Sequence, residues 1–154
     1  MIRFKKMADR KQVKVLFVED ENLLRSLFSE LFAVDEEYSY EILSAMDLKS
    51  GLETLKTNRP DVVVLDLILP YDKSVASSRE DLSEKMGLAF LKEVKGDDQY
   101  KNIPVIVFSN LSDIETKKLA HDGGAYAYLV KASTMPEQFT SVIKDALKNG
   151  THPK

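Results

Sequence analysis

The stretch VVVLDLILP, Val62 to Pro70, decides how the rest of the chain is read. Its apolar residues are consecutive rather than alternating, the pattern of a strand buried on both faces. A strand is therefore expected over Val62–Leu67, running into one carboxylate, Asp66. Upstream, Leu48, Leu52 and Leu55 recur at helical spacing and stop before Pro60. Further back, Val13–Val18 is a second apolar run, and Leu23, Leu24, Leu27, Phe28, Leu31 and Phe32 form a helical stripe. Tyr40–Leu43 is a weaker strand between those two helices.

Downstream the pattern repeats. Tyr71–Lys85 is polar, and Leu88, Leu91 and Val94 restore a helical face. Pro104–Phe108 is another apolar run. Ser112 and Glu115 have capping-box spacing, opening a helix that ends near Gly123 and Gly124. Ala125–Val130 is the fifth strand. Thr134 and Glu137 form a second capping box with Pro136 in the first turn, and Phe139, Val142, Ile143, Ala146 and Leu147 line the last helix. Five βα units in succession predict a doubly wound parallel α/β sheet, flavodoxin-like, with strand order 2-1-3-4-5. One domain is expected over residues 13–149. Residues 1–12 form an N-terminal extension, and 150–154 a tail too short to fold.

Composition excludes several classes. A formal net charge of −3 argues against a protein built mainly to grip nucleic acid. With no cysteine there are no disulfides or thiolate metal sites, and with only His121 and His152 a histidine zinc site is disfavoured. No apolar run is long enough to span a membrane, and the basic start lacks an apolar signal core, so a cytoplasmic location is expected. Met1 and Met7 both remain candidate initiators.

Four strands end in polar residues of a particular kind. The first ends in Glu19 and Asp20, with Glu21 following; the third runs into Asp66, the fourth into Ser109 and the fifth into Lys131. Open parallel sheets form their sites at the carboxyl ends of strands, near the topological switch point. In the order 2-1-3-4-5, Asp20 and Asp66 would face each other there, with Ser109 and Lys131 on the other side. Clustered carboxylates without His or Cys suit Mg2+, which keeps several waters and takes one or two carboxylates plus phosphate oxygens. A lysine ammonium and a serine hydroxyl add a charge and a donor for phosphate, and a carboxylate can itself be the phosphoryl acceptor. Taken singly, each residue has an ordinary explanation. Asp66 could be a turn residue, Glu19–Glu21 a complement to a helix dipole, Ser109 a cap and Lys131 a solvated lysine.

With these residues in order, the sequence resembles the receiver domains of two-component response regulators over about Val13–Asn149. VLFVEDE at Val15–Glu21 is similar to the family's acidic start and DLILP at Asp66–Pro70 to its phosphoacceptor segment. PVIVFS at Pro104–Ser109 is similar to its hydroxyl-bearing strand, and GAYAYLVK at Gly124–Lys131 to its last strand. The resemblance implies that Asp66 takes a phosphoryl group from a phosphohistidine on a histidine kinase or phosphotransfer protein. It implies a Mg2+ ion held by Asp20, Asp66 and the Ile68 backbone carbonyl, with Glu19 acting through water. Lys131 would pair with the phosphoryl group and Ser109 would bond one of its oxygens. Tyr128 would change rotamer as Ser109 shifts. A downstream protein target would read the switch at the face of helix four, strand five and helix five. Such a chain is not an enzyme beyond its own phosphorylation and slow dephosphorylation. If it is complete, its output is a protein contact, as in stand-alone receivers.

Three departures from the family pattern stand out. Ala132 follows Lys131 where proline with a cis peptide is usual, and Asn110 follows Ser109 where Ala or Gly is usual. The glycine opening helix three is Gly87, so Tyr71–Lys85 includes an insertion of about a dozen residues. This polar insertion leaves the strand end a few residues after Asp66 and is expected to contact partners. Two alternatives remain: a degenerate receiver that binds without phosphorylation, and a haloacid-dehalogenase-like phosphatase. The first conflicts with the retention of all five site residues. The second wants a further Asp where Ile68 stands, and a nucleophile after the first strand. Oligomeric state is left open.

Overall fold

Residues 9–19, 22–74 and 84–149 are described by the computed structural model of the chain. In chain order the elements are β1 (Lys11–Val18), α1 (Asn22–Ala33), β2 (Tyr38–Ala45), α2 (Leu48–Asn58), β3 (Val62–Leu65), α3 (Lys85–Gly96), β4 (Val105–Ser109), α4 (Ile114–Asp122), β5 (Ala127–Val130) and α5 (Pro136–Asn149). The strands form one sheet in the order β2-β1-β3-β4-β5, every neighbouring pair parallel. This is the doubly wound, flavodoxin-like arrangement expected from the sequence.

Strand periodicity sorts the core into two layers. Val62 and Val64 face one way, with Val15, Phe17, Ile106 and Phe108, and are covered by Phe28 and Phe32 of α1 and Phe139 and Ile143 of α5. The Phe28 and Phe139 rings stack with centroids 3.9 Å apart. Val63 and Leu65 face the other way, with Leu16, Val18, Val105 and Val107, against Leu55 of α2, Phe90, Leu91 and Val94 of α3 and Ala120 of α4. All four residues of β3 are buried, which explains the absence of alternation in its sequence.

Several boundaries move. β3 ends at Leu65, so Asp66 is the first residue beyond the strand. β1 takes in Lys11 and Gln12, and β2 pairs with β1 over eight residues. Both expected capping boxes shift by one residue. The N-cap of α4 is Asp113, not Ser112, and its carboxylate accepts from the Thr116 N–H at 3.0 Å. The negative charge of Asp113 suits the positive end of the helix, so the aspartate takes the role over its serine neighbour. At α5 the Thr134 hydroxyl donates back to the Val130 carbonyl at 2.7 Å, and the Gln138 side chain accepts from the Met135 N–H at 2.8 Å. The Thr134 hydroxyl is thereby committed to closing the turn after β5. The insertion begins with the described residues 71–74, residues 75–83 lie outside the described residues, and Lys85 belongs to α3.

Candidate functional site

The register sets the functional edge. Val18 pairs with Leu65, so the next residues, Glu19 and Asp66, leave neighbouring strands side by side. Their backbones stay tied to the sheet: Asp66 N–H donates to the Val18 carbonyl and Glu19 N–H to the Ala45 carbonyl, each at 2.9 Å. Ser109 pairs with Val130, placing Lys131 one residue beyond Ser109 at the same edge. Lys131 then crosses the end of β4, its ammonium 5.9 Å from the centre of the Phe108 ring. It reaches Asp66 Oδ2 at 2.7 Å and approaches Glu19 Oε2 at 3.9 Å. All three side chains are nearly enclosed: 8% exposed for Lys131, 12% for Asp66 and 4% for Glu19. Buried charges of this kind persist only when paired, and here one cation faces two carboxylates.

Ser109 is fully buried, and its Oγ accepts from the Leu111 N–H at 3.3 Å. The Tyr128 hydroxyl donates to the Leu111 carbonyl at 2.7 Å. Burial pushes the Tyr128 hydroxyl above its ordinary pKa, against an opposing contribution from the neighbouring Ser109 hydroxyl, so it remains a donor throughout the neutral range. Ser109 and Tyr128 thus hold the same turn, at Leu111, from its two sides. Lys131 opens a short 3-10 turn, Lys131–Ser133, and its peptide bond to Ala132 is trans. Proline's absence therefore does not prevent the lysine from reaching Asp66. Asn110, next to Ser109, is exposed.

The exit from β3 is held from both sides. Ile68 N–H folds back onto Asp66 Oδ1 at 3.1 Å. Gly87, in the first turn of α3, donates its N–H to the Leu67 carbonyl at 3.0 Å. A Cβ on Gly87 would lie 2.2 Å from Leu67 Cα, so glycine is what lets α3 approach the backbone beside Asp66. On the α2 side, Leu48 and Lys49 N–H donate to the Pro70 and Tyr71 carbonyls, each at 3.0 Å. Asp47, the N-cap of α2, accepts from Ser50 N–H and from Lys73 N–H, each at 2.7 Å. Sequence reasoning missed Asp47. Its place before the helical stripe, three residues ahead of Ser50, marks a cap, but nothing local announces a partner at Lys73.

The structure therefore brings Glu19, Asp66, Ser109, Lys131 and Tyr128 to one sheet edge, with Ile68 beside them. Asp20, the expected further metal ligand, lies outside the described residues, as do residues 75–83 of the insertion. Among the described residues, the acidic side chains at this edge, Glu19 and Asp66, offer carboxylate oxygens. That set fits a hard divalent cation and gives soft metals nothing to favour.

Comparison with known proteins gives a consistent result. The profile of the family described as the response regulator receiver domain matches residues 15–144. The polar-differentiation response regulator DivK of Brucella ovis is 30% identical over 136 residues, covering 86% of this chain and 94% of its own. Among solved structures, the BeF3-activated receiver domain of Klebsiella pneumoniae RstA superposes with a TM-score of 0.70 at 20% identity, over 88% of this chain and 99% of that one. The Mn2+-bound form of response regulator Rcp1 gives 0.68 at 22% identity, over 92% of this chain and 99% of that one. At those identities the two structures speak for the fold alone.

Proposed function

The chain belongs to the response regulator receiver domain family, and from that premise we propose that Asp66 is its phosphoacceptor in two-component or phosphorelay signalling. The observation carrying this reading is the 2.7 Å contact between the Lys131 ammonium and Asp66 Oδ2 at the nearly closed carboxyl edge of the sheet, with Glu19 alongside. A carboxylate oxygen of Asp66 attacks the phosphorus of a phosphohistidine. An O–P bond forms, the P–N bond breaks, and the imidazole leaves with a proton from solvent. Lys131, already at the attacking carboxylate, moves its charge onto the incoming phosphoryl oxygens. Ser109 turns its hydroxyl to one of them, giving up the Leu111 N–H that it now accepts.

Asp20, Asp66 and the Ile68 carbonyl, with Glu19 through water, would hold a Mg2+ ion, whose positive charge would offset that of the phosphoryl oxygens. The donor partner is a histidine kinase or a phosphotransfer protein. Ser109 and Tyr128 meet at Leu111, so a shift of Ser109 reaches Tyr128 and the face of α4, β5 and α5. That face carries exposed Ile114, Tyr126 and Met135, apolar surface suited to a protein target. Among the described residues no helix is long and apolar enough to cross a membrane, and the proposed place of action is the cytoplasm. The chain catalyses nothing beyond its own phosphoryl uptake and slow loss.

Incubation with acetyl phosphate and Mg2+ should add one phosphoryl group by intact mass, with none added to Asp66→Asn or in excess EDTA. Uptake undiminished in Asp66→Asn would overturn the assignment. The phosphorylated form should also be long-lived, because Ile68 and Leu111 offer no group to orient a hydrolytic water. Introducing Ile68→Asn together with Leu111→Glu should speed phosphate loss roughly tenfold by supplying one. An unchanged half-life in the double variant would show that water access is controlled elsewhere.

A further inference from the structure

We propose that Asp47 is a positioning residue for the phosphoacceptor loop, holding Asp66 and the Ile68 carbonyl in place from the α2 side; this rests on the reading of Asp66 as phosphoacceptor. The segment after β3 is irregular, yet its backbone polar groups are committed at close intervals. Asp66 N–H is bound by Val18, Ile68 N–H by the Asp66 side chain and the Leu67 carbonyl by Gly87. From Pro70 to Lys73 the loop is tied to the start of α2: Pro70 and Tyr71 accept from Leu48 and Lys49, and Lys73 donates to Asp47. The loop carrying the site is thus strung between two fixed ends, β3 and the first turn of α2.

Asp47 joins those ends because it is a carboxylate. Its Oδ1 accepts from the Ser50 N–H and the Ser50 hydroxyl, capping the helix. Its Oδ2 accepts from Lys73 N–H, 26 residues away in sequence. The side chain is buried at 7% exposure, so both acceptors are used where water cannot replace them. A cap alone would need one oxygen, and Ser or Asn would supply it. Among the described residues the second oxygen accepts from the loop, at Lys73. Only Leu67, Ile68 and Leu69 separate Asp66 from the Pro70–Lys73 clamp. Losing the clamp frees the Ile68 carbonyl and the Asp66 side chain, which is held to that same loop through Ile68 N–H.

Two substitutions separate the link from the cap. Asp47→Asn keeps one acceptor for Ser50 and turns an amide NH2 toward Lys73. Lys73→Pro removes the N–H donor and leaves Asp47 and its cap untouched. The rate of phosphoryl uptake from acetyl phosphate at fixed Mg2+ should fall roughly tenfold in both, and Mg2+ should bind more weakly by calorimetry. Both are measured well below the thermal midpoint, where circular dichroism shows the folded state. Asp113→Asn, a like change at the N-cap of α4 where no loop is held, should leave the rate unchanged and so isolates any effect of capping alone. Wild-type rates in whichever of Asp47→Asn and Lys73→Pro folds would overturn the inference while leaving Asp66 as acceptor. An equal loss in Asp113→Asn would also overturn it. Absence of uptake by the wild-type protein itself would instead remove the reading on which the inference rests.

Discussion

Gly87→Ala should destabilise the protein by about 3 kcal/mol and lower Tm by about 10 °C. In an isolated helix the same change would help by about 1 kcal/mol, so the expected sign comes from tertiary contact alone. The added Cβ would stand 2.2 Å from Leu67 Cα and 2.6 Å from the Leu67 carbonyl oxygen, both backbone atoms that no rotamer change can move aside. Either α3 lifts from the sheet or the chain beside Asp66 shifts, and the Gly87–Leu67 hydrogen bond suffers in both cases. Gly96, at the other end of α3, is the control: a Cβ there meets nothing within 4 Å. Gly96→Ala should be neutral or stabilising by up to about 1 kcal/mol. Thermal unfolding of the two variants checks the pair, and equal stability of Gly87→Ala and wild type would show that the helix is free to move.

Lys131→Ala should affect both stability and chemistry. Removing the ammonium leaves the buried carboxylates of Asp66 and Glu19 facing one another, and breaking a buried pair in this way costs about 3 kcal/mol. The loss should be largest in EDTA and partly recovered in millimolar Mg2+, since a divalent cation bound by the same carboxylates replaces the missing charge. Phosphoryl uptake should fall by about a hundredfold or more even with saturating Mg2+, because the charge that met the phosphoryl oxygens is gone. Denaturant unfolding with and without Mg2+, alongside uptake by intact mass, separates the two effects. A variant as reactive as wild type would show that Lys131 neutralises Asp66 without serving transfer.

The fold was legible mainly where burial is complete. β3 and most of β4 read as unbroken apolar runs, and β1 as one broken only by Lys14 from Val13 on, because both their faces are covered, and the order of βα units then fixes a parallel sheet. β2 was read short because it is an edge strand with mixed exposure, and its length is set by pairing with β1 rather than by its own composition. The polar residues closing these runs were equally legible: Glu19, Asp66, Ser109 and Lys131 stand out because each follows residues with no polar atoms to spare. Helix starts were harder. Neighbouring Ser112 and Asp113 both suit a cap, and only the geometry of the turn chooses between them. Asp47 was invisible as a link because its partner is a backbone N–H, which every residue type but proline carries. The clash that restricts position 87 to glycine is likewise hidden in sequence, although the glycine itself was noticed.

If Asp66 carries the phosphoryl group, borohydride reduction of the phosphorylated protein marks it chemically. An acyl phosphate is reduced to an alcohol, whereas phosphate on serine, threonine or tyrosine is not. Protein treated with acetyl phosphate and Mg2+, reduced and digested should yield the peptide carrying residue 66 with its aspartate converted to homoserine. The peptides carrying Glu19, Asp20 and Asp47 should be unchanged. Homoserine at any other aspartate, with residue 66 intact, would contradict the account.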